Sequence, residues 1–429
     1  MKTKKMLITA IATIAFIAST QAQNVNIPDA IFKAELVANS SINTNMDAEI
    51  QVSEASVFNG SIYLAEVIFN SPGLNNITDL TGIEAFVSLI SLDCSGNALT
   101  SLNVSACTAL TYLDCRENSW SSLTSLNVSG CTALINLDCS GNSLSSLDVS
   151  SCTALTTLVC ASNQLTSLNV SGCTALINLD CSGNSLSSLD VSGCTALTYL
   201  VCYNNQLTSL DVSANTALTI LVCDNNQLTS LDVSANTALT GLNCSLNSAL
   251  TSLDVSANTA LTSFFCSDNQ LTSLDVSTCP ALTNLYCYNN QLTSLNVKNG
   301  NNINMDLMSY NYGFLASNNP NLSCIEVDNV AWSNTNWAND IDATAYFSEN
   351  CSGAGLSDIN SNAPMFYPNP TTGNLFITEK ADITLSDLSG KLLLEQKNTN
   401  QLDISGLPAG MYFLHFGENN NQIVKVIKE

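Results

Sequence analysis

Chemistry in this chain would have to come from its 18 cysteines, its 35 aspartates and glutamates, or its single histidine, His415. Cysteines in such number could ligate metal, form disulfides or act as nucleophiles, and their spacing decides among these. Two columns account for all but two of them. Cys94, Cys115, Cys139, Cys160, Cys181, Cys202, Cys223, Cys244, Cys266 and Cys287 recur at one position of a repeated phrase. Cys107, Cys131, Cys152, Cys173, Cys194 and Cys279 recur at another. No CxxC pair occurs and His415 lies far downstream, which disfavours zinc. A free buried thiol behaves as a small hydrophobe, so both columns are expected in a core. Cys324 and Cys351 stand outside the columns and are the disulfide candidate.

Two carboxylate arrangements invite a metal reading. Residues 43–54 place Asn43, Asn45, Asp47, Glu49 and Glu54 in a pattern resembling a calcium loop, with oxygens at its first, third, fifth and twelfth positions. Asn43 stands where such loops carry a charged Asp, and Ala48 where they carry the Gly of the sharp turn. The competing reading is a polar turn after a capping helix; no cofactor is required, and Ca2+ is the one candidate. The second arrangement is the column Asp190, Asp211, Asp232, Asp254 and Asp275. Carboxylates ~4.8 Å apart repel by about 0.9 kcal/mol per pair in water, which solvation and modest rises in pKa would relieve. An open ladder lacks the enclosing oxygens of a calcium site. No histidine lies near the many serines and threonines, and no phosphate loop or HExxH occurs, so an enzyme is not expected.

The element positioning all these groups is a repeat of 21 residues, seen cleanly from Leu218 to Ala238 as LTILVCDNNQLTSLDVSANTA. It reads LxxLxC, then Asn, then LxxLxV and Asn or Cys, and its period is that of leucine-rich repeats. Both halves share one phrase, leaving little room for a helix. The expected fold class is mainly β: a leucine-rich-repeat solenoid of about a dozen short coils, with parallel strands ~4.8 Å apart on one side. A second extended or 3₁₀ segment would form the other side. The phrase-ending Asn would turn inward onto backbone groups. The second cysteine column exchanges with Asn215, Asn236 and Asn258.

Around this solenoid (67–328) the chain divides further. Residues 1–22 carry lysines, an apolar run and a small-residue end, as a secretory signal does. Residues 23–66 form an N-terminal cap, with Pro28 opening a short helix that presents Ile31, Phe32, Leu36 and Val37. An insertion at Ser119–Ser122 puts Trp120 on the rim. Residues 329–351 close the last coil, 352–363 are a small polar linker, and 364–429 alternate like a small β-sandwich. No segment is long enough to cross a bilayer as a helix. The formal net charge of -24 disfavours nucleic acid and anionic membranes as partners.

The copies differ mainly at outward positions of the first half-coil. There Tyr199, Val201, Tyr203, Ile220, Val222, Phe265, Tyr286 and Tyr288 project at strand spacing, an exposed apolar stripe of the kind that binds partners. The competing reading is that β-prone residues stabilise neighbouring strands.

Two segments resemble known families. The repeats, with Ile27-Pro28-Asp29-Ala30-Ile31-Phe32 before them and Asn319-Pro320-Asn321-Leu322-Ser323-Cys324 after them, resemble bacterial 21-residue leucine-rich repeat proteins, related broadly to internalins. The C-terminal segment resembles the type A sorting domain of the type IX secretion system. The match lies in Tyr367-Pro368-Asn369-Pro370, Leu385 to Lys391, Leu407-Pro408-Ala409-Gly410 with Tyr412, and Lys425 to Lys428. That resemblance implies passage across an outer membrane by the secretion machinery, ending secreted or on the outer cell surface. The expectation is a non-enzymatic protein that binds a protein or glycan through its variable strand face. The alternative is a surface-coat component assembling laterally without a soluble ligand.

Overall fold

The structure is a computed structural model that describes residues 23–65, 76–118, 123–305, 313–351, 366–367, 371–387, 391–416 and 422–428. The signal segment, the Trp120 insertion, the linker and Pro368–Pro370 lie outside the described residues. The chain divides into two compact units, Met1–Ser323 with Val327–Tyr346, and Cys324–Glu326 with Phe347–Glu429.

The first unit is the solenoid. Its main sheet has 12 parallel strands, most of three residues, running from Ser61–Tyr63 to Phe314–Leu315. Each strand puts one residue inward, and those residues stack in register: Leu200 on Leu221, Leu221 on Leu242, Leu242 on Phe264. A one-residue slip would turn this column outward, so burial holds the register. At the second position of successive coils a threonine hydroxyl donates to the preceding coil's carbonyl, as in Thr219 to Thr198 (3.0 Å) and Thr240 to Thr219 (3.1 Å). The opposite side pairs into short strands only in places, such as Ser101–Asn103 with Ser125–Asn127 and Ser273–Asp275 with Ser294–Asn296.

Between strand and second side each coil turns through one left-handed residue. Gly96, Gly141, Gly183, Asn204, Asn225, Asn289 and Asn318 have φ between 50 and 69° there, as do Glu117, Ser162, Leu246 and Asp268. Glycine and asparagine suit that conformation; the other four hold it at some cost. The residue after it is the buried phrase-ending Asn. Asn226 Nδ2 donates to the carbonyls of Cys202 (3.0 Å) and Cys223 (3.1 Å), while its Oδ1 accepts from the Leu207 N–H (3.0 Å). One side chain thus satisfies backbone groups of adjacent coils that the sheet cannot reach.

Helices cap the stack. Helix α1 (Ala30–Ala38) begins one residue after Asp29, whose carboxylate accepts from the N–H of Ile31 and Phe32. Asp29 is therefore the N-cap, and the helix opens two residues after Pro28. The same carboxylate takes the Thr78 N–H (2.9 Å) and hydroxyl (3.0 Å), tying the helix to the first coil. Phe32 and Leu36 are buried. Helix α2 (Val52–Val57) follows. At the far end, beyond helix α3 (Val330–Asn336), Trp337 is buried with its ring 4.4 Å from that of Phe314 on the last strand. Asp342 accepts the N–H groups of Asn318 and Asn319, which no further coil would otherwise take.

In the second unit Cys324 and Cys351 are disulfide-bonded. The expected sandwich takes the form, among the described residues, of one five-stranded antiparallel sheet. Its core holds Leu375, Ile383, Leu385, Leu402, Leu414 and Val426. The sequence motifs of this segment have local structural roles. The Tyr412 hydroxyl donates to the Pro408 carbonyl (2.7 Å), clamping the turn before its strand, and Asp387 Oδ1 accepts the Lys391 N–H (3.0 Å). Among the described residues no helix is long and apolar enough to cross a membrane.

Candidate functional site

The cysteine columns hold no reactive thiol. All 16 free cysteines are buried. Burial pushes the thiols of Cys181, Cys244 and Cys287 up to about 12, so they stay protonated and inert at neutral pH. In the second column the thiol does part of an amide's work. Cys173 Sγ lies 3.3 Å from the Val149 carbonyl, the same relation, 24 residues back, that Asn236 Nδ2 has to Val212 at 3.0 Å. Asn236 also donates to the Asn215 carbonyl, but its Oδ1, like those of Asn215 and Asn258, is buried without a partner. Cysteine gives up one bond and avoids stranding that acceptor, which accounts for the exchange. Iodoacetamide is expected to leave these 16 thiols unmodified in the folded chain and to label all of them in guanidinium. Rapid labelling of several under native conditions would contradict the core assignment.

The loop at 43–54 spends its oxygens internally. Burial alone would raise the Glu54 carboxyl, but N–H groups of Gln51, Asn45 and Thr44 and the Thr44 hydroxyl hold it below the usual range. Together with Gln51 this forms the capping box of α2. Glu49 is paired with Lys33 at 2.7 Å. Asn43 turns its amide nitrogen to the carbonyls of Val37 and Asp47, and Asp47 accepts from the Glu49 N–H and from Asn45. The buried loop oxygen without a partner is Asn43 Oδ1, one neutral ligand where calcium takes six to eight. These residues do not fit the ion. The melting temperature is expected to be the same in 5 mM calcium and in chelator; a calcium-dependent rise of several degrees would restore the metal reading.

The aspartate column on the second side also differs from expectation. The hydroxyl and N–H of the serine two residues on hold Asp190, Asp211 and Asp232 below the usual carboxylate range, rather than repulsion raising them. Ser192 Oγ lies 2.6 Å from Asp190, and each Asp-x-Ser forms its own small turn. This column is a solvated scaffold.

The outer surface of the 12-stranded sheet is different. One register column begins with Tyr63, Asp93, Asp114 and Asp138, continues through Val159, Asp180, Val201, Val222 and Asn243, and then reaches Phe265, Tyr286 and the terminal Leu315. The aromatic end is contiguous, with ring centroids 4.8 Å apart for Phe265 and Tyr286 and 6.5 Å for Tyr286 and Tyr288. Tyr199 and Tyr203 are exposed, and Ile220, Val222, Phe265, Tyr286 and Tyr288 half-buried. Val201 is a correction: it is only 5% exposed, flanked in register by Asp180 and Val222, and is no part of an accessible stripe. Tyr63 (71% exposed) and Tyr112 (39%) extend the aromatic surface toward the N-terminal end. Sequence reasoning passed over them, and over Asp93, Asp114, Asp138 and Asp180, although the repeated Leu-Asp-Cys triplet was there to find. Arg116 lies across two of these aspartates, Nε 3.4 Å from Asp114 and a terminal nitrogen 3.6 Å from Asp138. Burial pushes the Asp114 and Asp224 carboxyls up.

Residues 365–429 match the family described as secretion system C-terminal sorting domain, and 174–215 match two copies of leucine-rich repeats. No curated protein matches the chain. Among solved structures, the functional domain of InlJ from Listeria monocytogenes, which includes a cysteine ladder, is 27% identical with a TM-score of 0.41; the alignment covers 95% of this chain and 98% of that one. The internalin InlF of the same species is 20% identical (TM-score 0.47, covering 68% and 98%). A leucine-rich repeat protein of Leptospira interrogans is 27% identical (TM-score 0.46, covering 49% and 57%).

Proposed function

Because the chain joins leucine-rich repeats to a secretion-system C-terminal sorting domain, we propose that it is an exported, non-enzymatic protein that binds a protein or glycan through the outer surface of its 12-stranded sheet. In this reading residues 1–22 are a secretory signal, 23–66 and 329–351 cap the solenoid of 67–328, and 352–363 link it to the sorting domain of 364–429. The type IX machinery engages that domain and leaves the protein in the medium or on the outer cell surface. One observation carries the binding assignment. Side chains facing solvent on the second side barely vary between copies, whereas the strand face gathers Tyr199, Tyr203, Phe265, Tyr286 and Tyr288 on one surface.

Protein and glycan arrays probed with the full mature chain test this. Replacing Tyr199, Tyr203, Phe265 and Tyr286 together by serine is expected to reduce capture of any array hit at least about tenfold, since exposed aromatics dominate binding energy. The melting temperature should stay near that of the parent, because Phe264 and the leucine column remain intact. Undiminished capture would remove this face from consideration. Concentration-dependent assembly without ligand in light scattering, together with empty arrays, would favour the lateral coat instead.

A further inference from the structure

The strand face already shows how it receives a cation, because the chain supplies one. Arg116 is half-exposed and spans Asp114 and Asp138 of adjacent coils, with Tyr112 on the strand that holds Asp114. It is the only basic residue between Lys33 and Lys298. Further along the same face Asp180 and Asp224 carry no counter-ion: among the described residues no ion pair reaches either. Tyr199 and Tyr203 stand on the coil between them. A partly desolvated carboxylate beside exposed rings suits a guanidinium or ammonium group, which gains from both the charge and the ring faces. It suits a neutral sugar less well and repels phosphate.

We propose that the partner of this face is a cationic protein segment, lying extended along the solenoid axis, whose arginine or lysine side chains engage Asp180 and Asp224 as Arg116 engages Asp114 and Asp138. The inference rests on the reading of the strand face as the binding face, and it names the partner's chemistry. Spacing supports it. Asp180 is in register with Val222, two residues before Asp224, so the two lie two strands and two residues apart, about 12 Å, and side chains four residues apart in an extended chain share one face at about 13 Å. Charge complementarity of this kind selects a partner and speeds its capture.

The test uses the mature full chain and a labelled 13-residue peptide with arginine at every fourth position, compared with the same peptide carrying glutamine. Fluorescence anisotropy at 50 mM salt is expected to show the arginine peptide binding at least about tenfold more tightly, with most of the difference lost at 300 mM. Asp180→Asn with Asp224→Asn should weaken it about tenfold. Asp211→Asn with Asp232→Asn, the same charge change on the other side, should alter it less than about twofold. Equal weakening by the two pairs would reduce the effect to diffuse net charge and overturn the proposal. So would equal binding of both peptides, or indifference to the Asp180 and Asp224 changes. If an array partner is lost on aromatic replacement while the arginine peptide never binds, the face stands as a binding face and only its cationic partner falls.

Discussion

Asn226→Ala is expected to lower the free energy of unfolding by about 4 kcal/mol, among the largest losses a single substitution in this solenoid could cause. The side chain is buried and bonds backbone groups of two adjacent coils: the Cys223 carbonyl in its own coil, and the Cys202 carbonyl and Leu207 N–H in the coil before it. Alanine leaves these groups in a core walled by leucine and thiol, where no water replaces the amide, and each stranded group costs about 1–3 kcal/mol. The loss falls mid-stack, so it also weakens the interface through which neighbouring coils stabilise one another. Urea titration of the mature chain followed by circular dichroism measures it, with the exposed Gln227→Ala as the control. A loss below about 1 kcal/mol would mean that the asparagine ladder is decoration.

Removing residues 364–429 is expected to abolish export, leaving folded solenoid in the periplasm instead of the medium or outer surface. The effect should be near-complete because the match to the sorting domain spans 365–429 and the solenoid holds no second copy of its motifs. Fractionation and immunoblotting of expressing cells reads it directly. Tyr412→Phe is the finer version: it deletes only the hydroxyl that clamps the Pro408 carbonyl, so partial loss of export would show that this turn must be held in shape. Normal export of the truncated chain would overturn the sorting assignment.

Much of this was legible in the residues. The 21-residue period, with leucine at fixed offsets, permits one kind of coil, because only residues stacking on their own copies can be buried in a solenoid. The cysteine columns followed from the same periodicity: a thiol at a leucine position must be core. The left-handed turn before each Asn was also written in the chain, as the Gly or Asn at Gly96, Gly141, Gly183, Asn204 and Asn225, but reading it required knowing where the strand ends.

Other features depended on which atoms meet. The 43–54 loop carries the residue types of a calcium site, and composition could not tell that Glu54 caps a helix and Glu49 faces Lys33. Periodicity placed Val201 outward, but between Asp180 and Val222 in register it is left only 5% exposed. The outward aspartates of the two sides look alike in sequence, yet serine bonds hold Asp211 below the usual carboxylate range on one side while burial raises Asp114 and Asp224 on the other. By itself the sequence determined the coil, its core and the presence of a C-terminal sorting domain, because these depend on repetition and on local motifs. The tertiary structure alone decided which outward side chains are exposed and which carboxylates are buried, because these are set by neighbours 21 residues away along the chain but one strand away in space.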